Sequence, residues 1–493
     1  CFLFLYNIPS EAQTVYFSKQ YSMFPDLPSQ GFRVTTMPDG YAFTTLEGGS
    51  TTPKGGILVI TDKLGNFIHT KQLLPTTNVI NGLVYHPEDS TFHIWGDYFI
   101  GAGKNLYHPY LLKTNWWGDT LWVTEFNHPA FNLCRNAIEL PDGSFILAVG
   151  TSTSEGSIIG LIRVDKDGNE LWHKAHIKGF ANYETYGLNL KNDSTLMVGY
   201  NAIRKFIDTL DLPYDAYGLM EIDFNGKVLR DTFYPTPYWD NSQWQGWLMP
   251  LGNDRLAFTN RTVSLDQEGL QWINAIDMDY NLLWKKYASD IGGYTYLPAL
   301  TSNRAGNVVG GGIIAYDSKL FPHIFQMDPE GEIVWERFAQ TPIKNQPFLG
   351  GTSFECIRQT DDGGYIAVGN FQHPDYTFQT WLLKLDSLGC FEPGCQDGKY
   401  VTVGIQDPKA AVSNGLLISP NPADVAVQIQ AQKGPGLLFF NDPQGRPMDT
   451  APMKIEGTLH ISTQNWPPGT YIVRYLSLKG ELLGIQKMVV AHG

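Results

Sequence analysis

The chain has 493 residues, 43% of them hydrophobic, more than one domain usually holds unless that domain is a barrel or a propeller. With 50 Gly, 30 Pro and 13% aromatic residues beside only 17% charged ones, it suits short strands and many turns, and an all-β protein is expected. The net charge of −14, with no cluster of Lys and Arg, argues against a basic field for nucleic acid or an anionic membrane surface.

Residues 1–12 carry an apolar run, CFLFLYNIP, ending in the small-x-small triplet Ser10-Glu11-Ala12. This reads as the remnant of a secretory signal peptide, with an ordinary first strand as the alternative. Cys1 would belong to that signal. No other run approaches the roughly 18 apolar residues of a membrane helix, so no membrane span is expected.

One pattern, Asp-x-x-Gly-x-x-x-Trp, organises residues 13–389. Its copies are DKLGNFIH at Asp62, NWWGDTLW at Asn115, DKDGNELW at Asp165, DFNGKVLR at Asp223, DMDYNLLW at Asp277, DPEGEIVW at Asp328 and the truncated DSLGCFEP at Asp386. A second pattern alternates with it: MPDG from Met37, HPEDS from His86, LPDG from Leu140, LKNDS from Leu190, LGNDR from Leu251, SNRAG from Ser302 and TDDGG from Thr360. Two turn signals per unit imply four antiparallel strands per unit. Seven such units predict a seven-bladed β-propeller, because one small sheet cannot bury both faces until its neighbours stack on it. The seventh copy lacks a fourth strand, and residues 14–22 resemble the fourth strands elsewhere. They are expected to close the last blade and so remove an exposed edge.

The repeated Trp122, Trp172, Trp284 and Trp335 are read as structural, filling the wedge between blades. Gly supplies positive φ in the turn, and Asp bonds the turn's own backbone. The segment Asp165-Lys-Asp167 resembles a calcium loop but lacks the rest of an EF-hand ligand series, so no metal or other cofactor is expected. The motif is also similar to the tryptophan-docking repeats of quinoprotein propellers, which is taken as shared blade architecture.

Both short turns fall on one face. The longer connections, 201–215, 234–247, 340–352 and 371–379, share the other, where binding usually resides on a rigid scaffold. The second of them gathers Tyr238, Trp239, Asp240, Trp244 and Trp247. Exposed rings with polar neighbours suit a glycan or peptide, although Trp244 and Trp247 suit the core between blades equally. His108, His128 and His373, and the Asp208, Asp211 and Asp215 group, lie in such loops, but no spacing forces them together. No catalytic residue stands out and enzyme activity is not expected. The leading reading is a binding propeller for a glycan, peptide or surface protein. A hydrolase or lyase at the propeller mouth and a structural surface component are the alternatives.

Residues 390–411 form a linker in which Cys390 and Cys395, flanking Phe-Glu-Pro-Gly, are expected to close a disulfide loop. Residues 412–493 hold six Lys/Arg and five Asp/Glu, so the acidity lies in the N-terminal part. Short alternating strands between PNP, KGPG, DPQG and PPG turns predict a small immunoglobulin-like β-sandwich here.

Its elements Ser419-Pro420-Asn421-Pro422-Ala423, Gly469-Thr470-Tyr471-Ile472-Val473, Gly480 and Lys487-Met488-Val489 closely resemble, in order, the type A sorting domain of the Bacteroidetes type IX secretion system. The resemblance covers 415–493. It implies export through the periplasm to the cell surface or medium, with the secretion machinery and a sortase as partners and the Pro420–Pro422 and Lys487 regions serving export. It says nothing of the ligand.

Overall fold

The computed structural model describes residues 15–491 except 22–27, 49–54, 75–77, 100–106, 129–130, 132, 154–155, 178–184, 203–215, 236–246, 263–269, 291–293, 317–318, 341–351, 374–376, 393–394, 396–398, 403–415, 432–434, 442–446, 454–457 and 478–481. The signal-peptide reading of 1–12, with Cys1, falls outside them.

The Asp-x-x-Gly turns are built alike. In all seven, Oδ1 of the leading Asp or Asn accepts from the backbone N–H two and four residues on, as Asp328 does from Glu330 at 3.0 Å and Glu332 at 2.8 Å. The fourth residue takes positive φ, from 69° at Gly65 to 90° at Gly168. In the six copies that have a fourth strand, that strand starts with a one-residue register shift, a bulge against its partner.

Each unit is an antiparallel sheet in chain order. The first comprises Ser29–Met37, Gly40–Glu47, Gly55–Asp62 and Phe67–Gln72. The second lies within 78–125, the third 133–177, the fourth 185–235, the fifth 248–287, the sixth 294–340 and the seventh 353–385. Phe17–Tyr21 supplies the seventh sheet's fourth strand, with Phe17 opposite Lys384 and Tyr21 opposite Thr380.

Apolar side chains from successive sheets meet in separate cores. Met37, Leu58, Ile80 and Phe92 join the first and second sheets, Leu111, Phe145 and Leu147 the second and third, and Ile146, Leu196 and Val198 the third and fourth. Met197, Tyr217 and Phe258 join the fourth and fifth, Met249, Val308 and Phe325 the fifth and sixth, and Val309, Phe354 and Trp381 the sixth and seventh. Phe17, Val34, Phe43, Cys356 and Val368 then join the first sheet to the last. The sequence of cores returns to its start, an all-β, propeller-like arrangement.

The repeated Trp lies at these junctions. A Cβ on Gly168 would fall 2.8 Å from Trp122, on Gly226 2.9 Å from Trp172, on Gly331 3.0 Å from Trp284 and on Gly389 2.4 Å from Trp335. Each ring lies over the turn of the next sheet, and three indoles donate to a turn carbonyl: Trp172 to Phe224, Trp284 to Pro329 and Trp335 to Ser387, at 3.0–3.2 Å. His69 takes this place in the first sheet, with Nε2 3.0 Å from the Trp117 carbonyl oxygen, and Phe17 lies against Gly65. The junction between fourth and fifth sheets exchanges both partners. Arg230 stands where Trp recurs, Tyr280 stands at φ 73° where Gly recurs, and the guanidinium lies 4.1 Å from the ring centroid. A flat cation on an aromatic face fills the space of indole on glycine.

Cys390 and Cys395 are joined by a disulfide, with Cα atoms 5.5 Å apart. Beyond it Tyr400–Thr402 adds a parallel fifth strand to the outer edge of the sixth sheet, opposite Phe338–Gln340. Lys399 anchors it, reaching Glu336 at 2.6 Å and Asp290 at 3.2 Å.

The C-terminal region has two sheets, Leu416–Ser419 with Ala426–Ala431 and Thr458–Ser462, and Pro447–Met453 with Gly436–Asn441, Gly469–Ser477 and Leu482–Val490. They face each other across Ile418, Val427, Ile429, Phe440, Val473, Tyr475 and Met488. The exposed Asn421 amide donates to the Lys487 carbonyl and accepts from the Val489 N–H, both at 2.8 Å, tying the Ser-Pro-Asn-Pro segment to the last strand. Tyr471 is buried and donates to the Pro467 carbonyl at 2.6 Å, while Lys487 is exposed. Gly469 has open space at its Cβ position, and Gly480 lies outside the described residues. Arg474 pairs with Asp39 on the short-turn side of the first sheet.

Candidate functional site

Of the aromatic loop singled out in the sequence, Tyr238, Trp239, Asp240 and Trp244 lie outside the described residues. Trp247 is half-buried against the core shared by the fifth and sixth sheets, with its backbone bonded to Thr259. Asp208, Asp211 and Asp215 also lie outside the described residues. His108 sits in a strand, and His373 lies edge-on to Phe371, with ring centroids 5.0 Å apart.

A different set of polar groups is gathered by the first strands of the sheets. Six of the seven carry a register shift near their N-terminal ends, at Gly31/Arg33, Ile80/Gly82, Cys134/Asn136, Thr185/Gly187, Tyr296/Ala299 and Phe354/Cys356. These ends follow the long connections, so the shifts share the long-connection face. A bulge re-aims the side chains beside it.

Arg33 shows where they point. Its Nε donates to the Asn81 carbonyl of the second sheet at 2.6 Å. It also lies in the fields of Cys356, Glu355 and Arg358 from the seventh sheet and of Tyr296 from the sixth. A side chain of the first sheet can meet the second, sixth and seventh only where the first strands converge, on the axis of the ring. Burial pushes the guanidinium below its ordinary value, opposed by Cys356 and Glu355. Burial holds the Glu355 carboxyl above the usual carboxylate range, opposed by a 2.6 Å bond from Ser353 and by Arg33.

The supports come from the second strands. Asn370 accepts from the Gly31 N–H at 3.0 Å and donates to Glu355 at 3.3 Å. Asp97, the matching residue of the second sheet, accepts from the Cys134 N–H and, at 2.8 Å, from Asn81. In both cases the residue after a second-strand Gly holds the shifted backbone of the next sheet. Among the described residues, Arg33 and Arg358 bring two guanidinium groups beside Glu355, while the Asp97 carboxylate is taken up by the Cys134 N–H and Asn81; paired guanidinium groups are a donor set that can meet an anionic group. One sequence signal could have found it: Arg33 stands between Phe32 and Val34, and Glu355 between Phe354 and Cys356, six and seven residues before the second-pattern Asp at 39 and 362.

No protein-family model and no curated protein sequence matches the chain. Similar solved structures include a protein of unknown function from Bacteroides caccae, at 15% identity and TM-score 0.36, over 60% of this chain and 91% of that one. An ulvan lyase is similar at 10% identity and TM-score 0.47, over 78% and 100%. The β-propeller domain of the trilobed protease from Pyrococcus furiosus is similar at 8% identity and TM-score 0.41, over 72% and 95%. The likeness is one of fold, and at these identities it assigns neither activity nor ligand.

Proposed function

We propose that this chain is a secreted or cell-surface seven-bladed β-propeller that receives an anionic group of a glycan, peptide or surface protein in its axial mouth. The observation that carries this is Arg33, half-buried, bonded to the second sheet and in the fields of Glu355 and Arg358 of the seventh and Tyr296 of the sixth. Residues 13–389 form the propeller, 390–411 the linker and 412–493 an immunoglobulin-like sorting domain of the type IX kind that directs export. The two bonds of Asn421 to the terminal strand support reading its separated motifs as one unit.

The test is an array of acidic and neutral glycans and peptides probed with the full chain. Acidic members should bind, more weakly as salt rises, and Arg358→Gln should reduce binding by about tenfold, the loss expected of one charge-assisted hydrogen bond. Equal binding to neutral members, unaffected by Arg358→Gln, refutes the axial site. A lyase or hydrolase at the same mouth is the second reading, favoured by Glu355, a carboxyl raised by burial and placed beside Arg33 as a candidate general acid. Cleaved array members, lost in Glu355→Gln, would decide for it.

A further inference from the structure

The bulge that opens each fourth strand has a chemical consequence in the third sheet. Val164 pairs with Glu170, Arg163 with Trp172 and Ile162 with His173, leaving Leu171 as the extra residue. Residues three apart on a regular strand point to opposite faces. The extra residue restores Glu170 and His173 to one face. The same two slots hold Phe67 and Thr70, Thr120 and Val123, Val228 and Asp231, Leu282 and Lys285, and Ile333 and Glu336 in the other five sheets with this bulge.

A third donor arrives from the connection between the second and third sheets. The His128 carbonyl accepts from the Phe131 N–H at 2.9 Å, and Phe131 is buried in the core between those sheets. Its ring lies edge-on to His128, with centroids 5.5 Å apart, and so holds the imidazole over the strand. His128 Nε2 is 2.8 Å from Glu170 Oε2, His173 Nδ1 is 2.6 Å from Glu170 Oε1, and the two imidazole centroids are 4.0 Å apart. One ligand atom from each of the three residues can be chosen so that all lie within 4.8 Å of one another.

We propose that His128, Glu170 and His173 bind a divalent first-row transition ion, with zinc as the reference ion. Two imidazole nitrogens and one carboxylate oxygen form a borderline-hard donor set that suits zinc over magnesium or calcium. Ligands at about 2.0–2.2 Å around a tetrahedral ion stand about 3.3 Å apart, which small side-chain rotations reach from the present spacing. The ion replaces the protons shared between each imidazole and the carboxylate. Partial exposure of all three side chains leaves the fourth position to water. The site straps the connection after the second sheet to the outer strand of the third, a place unrelated to the axial opening.

The experiment titrates the metal-free full chain with zinc chloride by calorimetry and with cobalt chloride by visible absorption. One ion per chain is expected, with cobalt bands of a nitrogen and oxygen donor set and a zinc-dependent rise in thermal midpoint. The double variant His128→Asn, His173→Asn should weaken this binding by at least the roughly 10–100-fold that loss of a mere supporting partner costs, while leaving the metal-free midpoint in place. Glu170→Gln should weaken it while keeping both nitrogens in the cobalt spectrum. Absence of one-to-one binding, or unchanged affinity in the double variant, overturns the proposal.

Discussion

His93 makes the junction between the second and third sheets sensitive to acid. It is 5% exposed, with His86 and Phe145 ring centroids both 4.6 Å away and Trp122 at 5.7 Å. Neither ring nitrogen has a hydrogen-bond partner among the described residues. Burial, reinforced by His86 and Lys113, holds the imidazole down to about 3, so the folded protein keeps it neutral. The unfolded chain protonates it near 6.5. Its proton uptake therefore favours unfolding at low pH: no stability is lost above pH 6.5, and the loss grows as pH falls from there towards 3. At about 1.36 kcal/mol per pH unit, the loss between pH 7 and pH 5 is on the order of 2 kcal/mol. Glu336, held down to about 2 despite burial by His323, Lys399 and Ser289, contributes its own loss only below 4.5, outside the span from pH 7 to pH 5. The assay compares denaturant midpoints of wild type and His93→Phe at pH 7, 6 and 5. Phenylalanine suits the aromatic surroundings and carries no proton, so the variant should gain stability relative to wild type as pH falls. Parallel pH curves would refute the reasoning.

Two further perturbations test the junction chemistry. Arg230→Trp alone meets Tyr280 and Tyr280→Gly alone leaves Arg230 over an empty turn, so each should destabilise; together they should show a favourable coupling of about 0.5–3 kcal/mol in a double-mutant cycle, whereas additive effects would mean the exchange is not compensatory. Lys399→Met removes a cation from buried Glu336 and should cost about 1–3 kcal/mol at pH 7, with the deficit shrinking below pH 4.5 as the carboxyl protonates; a pH-independent deficit would place the effect in the strand rather than the ion pair.

The repeat was legible because its residues obey a local rule. Asp328 and Gly331 shape a turn whatever surrounds them, and Trp335 recurs at a fixed distance from that turn. The Arg230 and Tyr280 pair reads in sequence as two degraded copies, because the contact that reconciles them joins different sheets. Tyr400–Thr402 falls within the expected linker because a three-residue parallel strand has neither the length nor the alternation that marks a strand in sequence. Arg33 and Glu355 left a faint trace as charges set between apolar residues, but only ring closure makes them neighbours. Glu170 and His173, three apart, fall on opposite faces of a regular strand, so only the bulge at Leu171 brings them together, and nothing local brings His128 to them.

Closure by the first strand constrains the order in which this chain can mature. Tyr16 donates to Asp386, 370 positions away, and Phe17–Tyr21 has its strand partner in the seventh sheet. A growing chain can stack six sheets as they emerge, yet its opening segment must wait for the final one. Throughout that delay the first sheet exposes the apolar face that will meet the last, including Val34 and Phe43, and two unmatched ends invite pairing with another chain. Nascent chains shortened anywhere before residue 385 are thus open stacks rather than smaller rings, and the clasp cannot be fastened until the last sheet is made.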